Sequence, residues 1–429
     1  MNKISFIRDL FHQPYFVCLL AIVACVCFYL LKDEKRKHRK IIWTVFIALF
    51  SVSFCIFIAS AVYRVTHPQI WDFNCFYLWG KVAVGGYDYY QPENLHHVFN
   101  SLTLPALDYA GFKREIVDVG FLYPPPTILY FAPLGYLSYN TAILCWTIFN
   151  LLFAGGCIYL SYTLFFKAYK LNGFLLIATL FLIFLPSLST VNFSQTNFIL
   201  LFYLLLMKKY EDKKFAGIFL ALAVFTKPYM IILLLFFILK KKWGIISYFV
   251  LSCAAILGLT LALFGKAPFV SYIFDSPIHR LPESVFSEDI NQSLQAVLLR
   301  HHLLSFDKLM LYKYIMAAIL AVTGVFILFL LKRKQYDFIL ATLLLVGLMI
   351  YPGTLSYYGV LMLFIIFQFF DEKNKLGFNV YLNIPIIGIF YYLSTYSVFL
   401  AICFLLSVIV IRALKPPVTT TDLYESQNR

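Results

Sequence analysis

The sequence predicts an all-α membrane protein with many transmembrane helices. Of its 429 residues, 62% are hydrophobic and only 13% are charged, and the mean hydropathy is +0.81, well above the range of soluble domains. Apolar stretches of roughly 20 residues, the length that crosses a ~30 Å hydrocarbon core, recur along most of the chain. Because backbone polar groups must be satisfied inside lipid, these stretches are expected to form a helical bundle.

The apolar stretches predict about 12–13 transmembrane helices. Several stretches are short, so neighbours such as 215–240 are alternatively one kinked passage. The spans fall at 14–31, 41–62, 140–166, 172–190, 196–207, 215–227, 228–240, 244–264, 311–331, 338–351, 355–371, 377–393 and 396–412.

Charge sets the expected topology. Alternating the spans brings seven basic segments to one face, and these hold 23 of the 35 Lys and Arg residues but only 9 of the 21 Asp and Glu residues, which is the whole net charge of +14. The positive-inside rule makes this face cytoplasmic. The charge is thereby explained without nucleic acid, whose binding needs a basic surface on a folded domain.

Three regions follow from this map. Residues 1–40 are an extra N-terminal transmembrane helix with a basic cytoplasmic loop, 41–412 are the main transmembrane domain, and 413–429 are a cytoplasmic tail. Two long loops of the main domain, about 63–125 and 265–310, face outward, with helices expected along the membrane interface. The chemistry is expected in these loops, at the extracytoplasmic side of the cell membrane.

The first loop offers a carboxylate, Asp72, about ten residues beyond a span. It is a candidate general base, or alternatively an N-cap of the aromatic segment that follows. Asp88 lies in GGYDYY, where glycines permit positive φ and the tyrosines suit the membrane interface, so a plain turn is the competing interpretation. Tyr123 lies in FLYPPP, whose prolines predict a rigid, extended entry into the bilayer. The next stretch, TILYFAPLGYL, is short enough to dip in and return.

Polar residues interrupt later apolar stretches. FSQTN places Gln195 and Asn197 at the outer membrane surface, and FTKPY holds Lys227, a costly cation in an apolar stretch unless it is paired or reaches water by snorkelling. In the second loop, a helix over EDINQSLQAVLLRHH would bring Asn291 near one face and Arg300 to its end. Arg300 with His301 and His302 could hold a phosphate, or form an ordinary positively charged helix end. No nucleotide-binding motif and no carboxylate pair with metal-ligand spacing was found.

The order of these motifs resembles glycosyltransferase family 87, from about Trp71 to Tyr358. The shared series is the early Asp, GGYDYY, YPPP, SQTN, AGIFLALAVFTKP, NQSLQAVLLR and YPGTLSYY. The resemblance implies a GT-C fold and an enzyme similar to bacterial α-1,2-mannosyltransferases, which use a polyprenyl-phosphate sugar as donor.

The resemblance also implies roles for individual residues. Asp72 takes the place of the proposed catalytic carboxylate, and the implied donor or acceptor contacts are Gln195, Asn197, Lys227, Asn291 and Arg300. Two features depart from the family: the extra span at 14–31, and Tyr357 and Tyr358 where a His-containing run is common. His301, His302 or Lys227 are then the alternatives for meeting the donor phosphate.

The expected reaction is transfer of a hexosyl group, mannosyl by the resemblance, to a glycan or glycolipid at the outer face. The partners are the lipid-linked donor, the acceptor and membrane lipid, and no cofactor or metal is assigned. The alternatives are a lipid or glycan transporter or flippase, and a lipid-linked glycan ligase or polymerase. Apart from Asp371, the last residue of the span 355–371, the predicted spans contain no Asp or Glu, which disfavours an ion-coupled carrier. Residues 63–125 hold only two arginines, fewer than expected of a ligase.

Overall fold

A computed structural model describes residues 13–32, 38–67, 71–102, 117–275, 286–305, 309–370 and 380–414. Within these ranges the protein is built of helices, and β pairing is confined to one isolated antiparallel bridge between Asn291 and Leu355. The α-helices, in chain order, are α1 Pro14–Lys32, α2 Arg39–Thr66, α3 Trp71–Val84, α4 Pro92–Ser101, α5 Ile128–Gly135, α6 Tyr139–Ser161, α7 Lys170–Ile183, α8 Leu185–Asn192, α9 Asn197–Lys209, α10 Ala216–Thr226, α11 Leu234–Leu239, α12 Trp243–Phe264, α13 Ala267–Phe274, α14 Leu294–Arg300, α15 Leu309–Lys332, α16 Tyr336–Ile350, α17 Leu363–Gln368, α18 Val380–Tyr396 and α19 Val398–Leu414.

Tighter and wider turns join some of these helices. A π-helical turn and a 3₁₀ turn follow α6, and further 3₁₀ segments precede α5, α11 and α17. They are Tyr162–Phe166 (π), Lys167–Tyr169, Pro125–Thr127, Pro228–Leu233 and Ser356–Met362 (all 3₁₀).

The all-α polytopic prediction is confirmed. Five helical stretches in the described ranges are long and apolar enough to cross a bilayer, and five shorter apolar helices lie among the later predicted spans. One predicted span is wrong as a single helix: 172–190 breaks at Phe184, between α7 and α8. Pro186 explains the break, because its ring has no N–H and clashes with the preceding helical turn.

Ion pairs join three of the basic segments. Lys208 of KKYEDKK lies 2.8 Å from Asp337 of KRKQYD, and Lys240 and Lys242 of KKKW approach Glu211 (3.7 Å) and Asp212 (2.7 Å). The three segments therefore lie next to one another in the fold. The two long loops also contact each other, because Asp88 accepts a hydrogen bond from Ser271 of α13 at 2.6 Å.

Two hydrophobic cores hold the bundle. The larger one joins α1 and α2 with α6–α12 and α14–α19, and the smaller one packs α3 against α5 and α6. In the smaller core Phe76 of α3 stacks on Phe131 of α5, with ring centroids 4.3 Å apart. Helix α5 has eight residues, too few to cross a ~30 Å core at about 1.5 Å per residue. It therefore serves as a platform for α3 rather than as a span.

Candidate active site

Asp72 lies in the first turn of α3, as its second residue rather than its cap. Gln195 Nε2 donates a hydrogen bond to Asp72 Oδ2 at 2.7 Å, and the Tyr357 hydroxyl donates another to the same carboxylate. The position at a helix N-terminus favours the anion. Burial nevertheless raises the pKa of Asp72 to about 6, although both hydrogen bonds and the nearby Lys227 lower it. Asp72 is thus a carboxylate suited to accept a proton near neutral pH.

The FSQTN turn aims Gln195 at this carboxylate. After α8 ends, Ser194 adopts a left-handed backbone with φ +54°, and the amides of Ser194 and Gln195 donate to the carbonyls of Val191 and Thr190 at 3.0 and 2.9 Å. This is the helix-ending Schellman arrangement, with Ser where Gly is usual. Trp146 fixes the turn by donating to the Ser194 carbonyl at 2.6 Å.

A close crossing of α3 and α5 sets the position of Asp72. A Cβ at Gly80 would lie 2.3 Å from the carbonyl oxygen of Phe131, and one at Gly135 would lie 2.3 Å from the carbonyl oxygen of Gly80. Only glycine permits this approach of two backbones. The glycine pair therefore fixes the position of the helix that carries Asp72.

Lys227 is buried among tyrosines, 2% exposed. Its ammonium donates to the hydroxyls of Tyr123, at 3.1 Å, and of Tyr358, and it lies 4.5 and 4.4 Å from the centroids of those two rings. Hydrogen bonds and ring faces compensate for the loss of water around this cation. The side chain is thus held inside the protein, and the snorkelling interpretation does not describe it.

Several buried polar atoms around this cluster have no hydrogen-bond partner among the described residues. They include Gln195 Oε1, the Tyr229 hydroxyl and Trp79 Nε1. Because the Asp72 carboxylate only accepts, the Gln195 amide nitrogen must face it, which turns Oε1 away. Unpaired buried polar atoms cost about 1–3 kcal/mol each, and substrate hydroxyl groups are suitable partners for them.

Sequence reasoning missed two aromatic residues beside Lys227. Tyr229 packs against Tyr351 with the rings tilted and their centroids 4.8 Å apart, and it stacks on Tyr358 at 6.1 Å. Both lie in motifs that were already noted, FTKPY and YPGTLSYY. The signal was therefore the aromatic content of those motifs, but only the fold shows that they meet.

The remaining candidates lie around the cluster or away from it. The Asn197 side chain donates to the Tyr357 carbonyl at 3.4 Å, so it contacts the backbone of that residue. Asp88 accepts hydrogen bonds from the Tyr90 backbone amide and the Ser271 hydroxyl and so joins the two long loops. Exposed His301 and His302 end α14, and His302 has the left-handed backbone (φ +56°) of a helix stop.

Asn291 and Arg300 hold the second long loop through side-chain hydrogen bonds to backbone carbonyls. The Asn291 amide donates to the Pro352 carbonyl, and the Arg300 guanidinium donates to the carbonyls of Glu288 and Asn291. Within the described ranges, no three His, Cys, Asp or Glu side chains are grouped so that they could hold a metal ion.

Fold and site together define a polytopic membrane protein with a carboxylate, an amide and a tyrosine-bound lysine gathered from distant helices. The model of glycosyltransferase family 87 matches residues 121–355, more than half of the chain. The chain belongs to this family and is a membrane glycosyltransferase. Neither a search of curated proteins nor one of solved structures found a match. The matched region includes Gln195 and Lys227, whereas Asp72, Tyr357 and Tyr358 lie outside it.

Proposed function

We propose that this glycosyltransferase moves a hexosyl group, mannosyl by family resemblance, from a polyprenyl-phosphate sugar to a glycan or glycolipid. The reaction takes place at the outer face of the cell membrane, with the C-terminus in the cytoplasm. The observation that carries the proposal is the Asp72 carboxylate, held by Gln195 and Tyr357 and lying beside buried Lys227.

Asp72 acts as the general base. It removes the proton of one acceptor hydroxyl as that oxygen bonds to the anomeric carbon and the bond from this carbon to the phosphate oxygen breaks. The electron pair of the broken bond leaves with polyprenyl phosphate, and the anomeric configuration is inverted. Base catalysis of this kind contributes roughly 10²- to 10⁴-fold in rate.

Lys227 and its two tyrosines stabilise the leaving phosphate. Each tyrosine oxygen accepts a hydrogen bond from Lys227, so each hydroxyl hydrogen remains able to donate to a phosphate oxygen. One ammonium and two O–H donors in a buried setting match a phosphate monoanion or diester. A lipid-borne donor reaches them from within the bilayer, which suits a site made by membrane helices.

Family membership supports an enzyme over a transporter or flippase. A panel assay tests the specific reaction: purified protein in nanodiscs is incubated with polyprenyl-phosphate mannose, glucose or galactose and candidate acceptors, with a nucleotide sugar as the control donor. We expect acceptor-dependent release of polyprenyl phosphate from one lipid donor. Use of the nucleotide sugar alone would contradict the proposed donor class, and transfer of whole lipid-linked glycans would favour the ligase alternative.

A further inference from the structure

The second outer loop is paired with the segment that leads into Tyr357 and Tyr358. The backbone N–H of Gln292 donates to the Thr354 carbonyl at 2.7 Å, and the backbone N–H of Ser356 donates to the Ile290 carbonyl at 2.8 Å. Together with the bridge between Asn291 and Leu355, these bonds align residues 290–292 antiparallel to 354–356. The register of this pairing decides where the next two residues lie.

The Asn291 side chain strengthens the pairing from inside. It is 2% exposed, its amide donates to the Pro352 carbonyl at 2.8 Å, and its Oδ1 accepts from the Ser293 amide at 3.1 Å. Ser293 then caps α14 by accepting from the Ala296 amide at 3.2 Å. The Asn291 side chain thus joins the segment that precedes Tyr357 and Tyr358 to the start of α14.

Arg300 closes the loop from the other end of α14. One of its guanidinium nitrogens donates to the carbonyls of both Glu288 and Asn291 at 2.6 Å, and Asp289 lies 3.8 Å from its Nε. The Nη1 nitrogen of Arg300 is therefore engaged by the loop backbone. A lysine has the same charge but ends in an ammonium on a shorter, flexible stem, so it does not hold both carbonyls in the fixed geometry that the guanidinium nitrogen provides.

The two tyrosines held in this way contact the two charged residues of the site. Tyr357 hydrogen-bonds Asp72, and Tyr358 hydrogen-bonds Lys227. We propose that Asn291 and Arg300 are positioning residues, which set the loop against residues 352–356 and so hold Tyr357 on Asp72 and Tyr358 on Lys227. This inference rests on the proposed function and replaces the expected contact between Arg300 and the donor phosphate.

The pH dependence of transfer distinguishes positioning from phosphate binding. The groups that act on Asp72 are Gln195, Lys227 and Tyr357, with Cys75 and Tyr123 also nearby. Since the Tyr357 hydrogen bond lowers the pKa of Asp72, its loss raises that pKa and moves the acid limb of the rate profile to higher pH.

The test compares Arg300→Lys and Arg300→Met with Lys313→Met, which removes an exposed charge at the start of α15. We expect both Arg300 variants to move the acid limb up by roughly one pH unit and to lower kcat about tenfold. The control keeps the parent profile. Tyr357→Phe alone moves the limb equally, and adding it to Arg300→Met has no further effect.

An unmoved acid limb, with a donor KM that rises in Arg300→Met and recovers in Arg300→Lys, would overturn the inference in favour of a phosphate contact. An infrared titration of the Asp72 carboxyl band, assigned by subtracting the Asp72→Asn spectrum, gives the same comparison without turnover. If the parent transfers no sugar, the proposed function fails, while the infrared shift between parent and Arg300→Lys still decides whether Arg300 positions Tyr357.

Discussion

Replacing Gly80 by alanine tests whether the α3–α5 crossing sets the position of Asp72. The new Cβ would lie 2.3 Å from the Phe131 carbonyl oxygen, and because real Cβ contacts are essentially never under 3.0 Å, the helices must separate by about 0.7 Å. The partner atom is backbone, so a side-chain rotation cannot relieve the clash. Overpacking of this kind costs about 1–3 kcal/mol, and a misplacement near 1 Å costs about 10²-fold in rate.

The assay for Gly80→Ala measures sugar transfer and Tm of the detergent-purified protein, with Gly155→Ala as the matched control. Gly155 is also in a helix, but a Cβ there meets nothing within 4 Å, so this control should keep full activity and stability. We expect Gly80→Ala to lose about 10²-fold in turnover, with a lower Tm. Parent-like activity and Tm would refute the claim that this crossing positions the site.

Three further predictions concern charge and topology. Transfer should rise with pH through about 6 and then level, because Asp72 is active as the anion and burial raises its pKa to about 6; a flat profile from pH 5 to 7 would exclude it as the base. Lys227→Met should raise the donor KM at least tenfold, because the phosphate loses its cation, with expression maintained; an unchanged donor KM would remove Lys227 from the donor site. A cysteine replacing exposed Tyr87 should gain labelling over the parent from an impermeant thiol reagent outside intact cells, and one replacing exposed Lys213 should not; the reverse pattern would invert the topology.

The sequence predicted the spans well because the bilayer imposes a simple physical requirement. A stretch of ~20 apolar residues is visible without knowledge of its neighbours, and α1, α2, α6, α12 and α15 all begin within two residues of their predicted starts. The break at Phe184 was missed because an apolar run was given more weight than Pro186. Local chemistry there outweighed hydrophobicity.

The site was predicted less completely, because its contacts join residues far apart in the chain. Asp72 and Gln195 were each recognised, but 123 positions separate them, and only the fold brings them together. Arg300 is a second example of a residue whose contacts the sequence does not show. A basic residue near a helix end is a candidate for a phosphate contact, and the sequence carries no sign that one of its nitrogens binds two backbone carbonyls.

The most direct test of the central claim is turnover of Asp72→Asn with its lipid-linked donor. Asparagine keeps the size of the side chain and can still accept a hydrogen bond from Gln195, but it cannot accept the acceptor's proton. We predict a protein with a Tm within a few degrees of the parent that binds donor and loses at least about 10²-fold in transfer rate. Near-parent transfer by this variant would contradict the account, since the reaction would then need no base at Asp72.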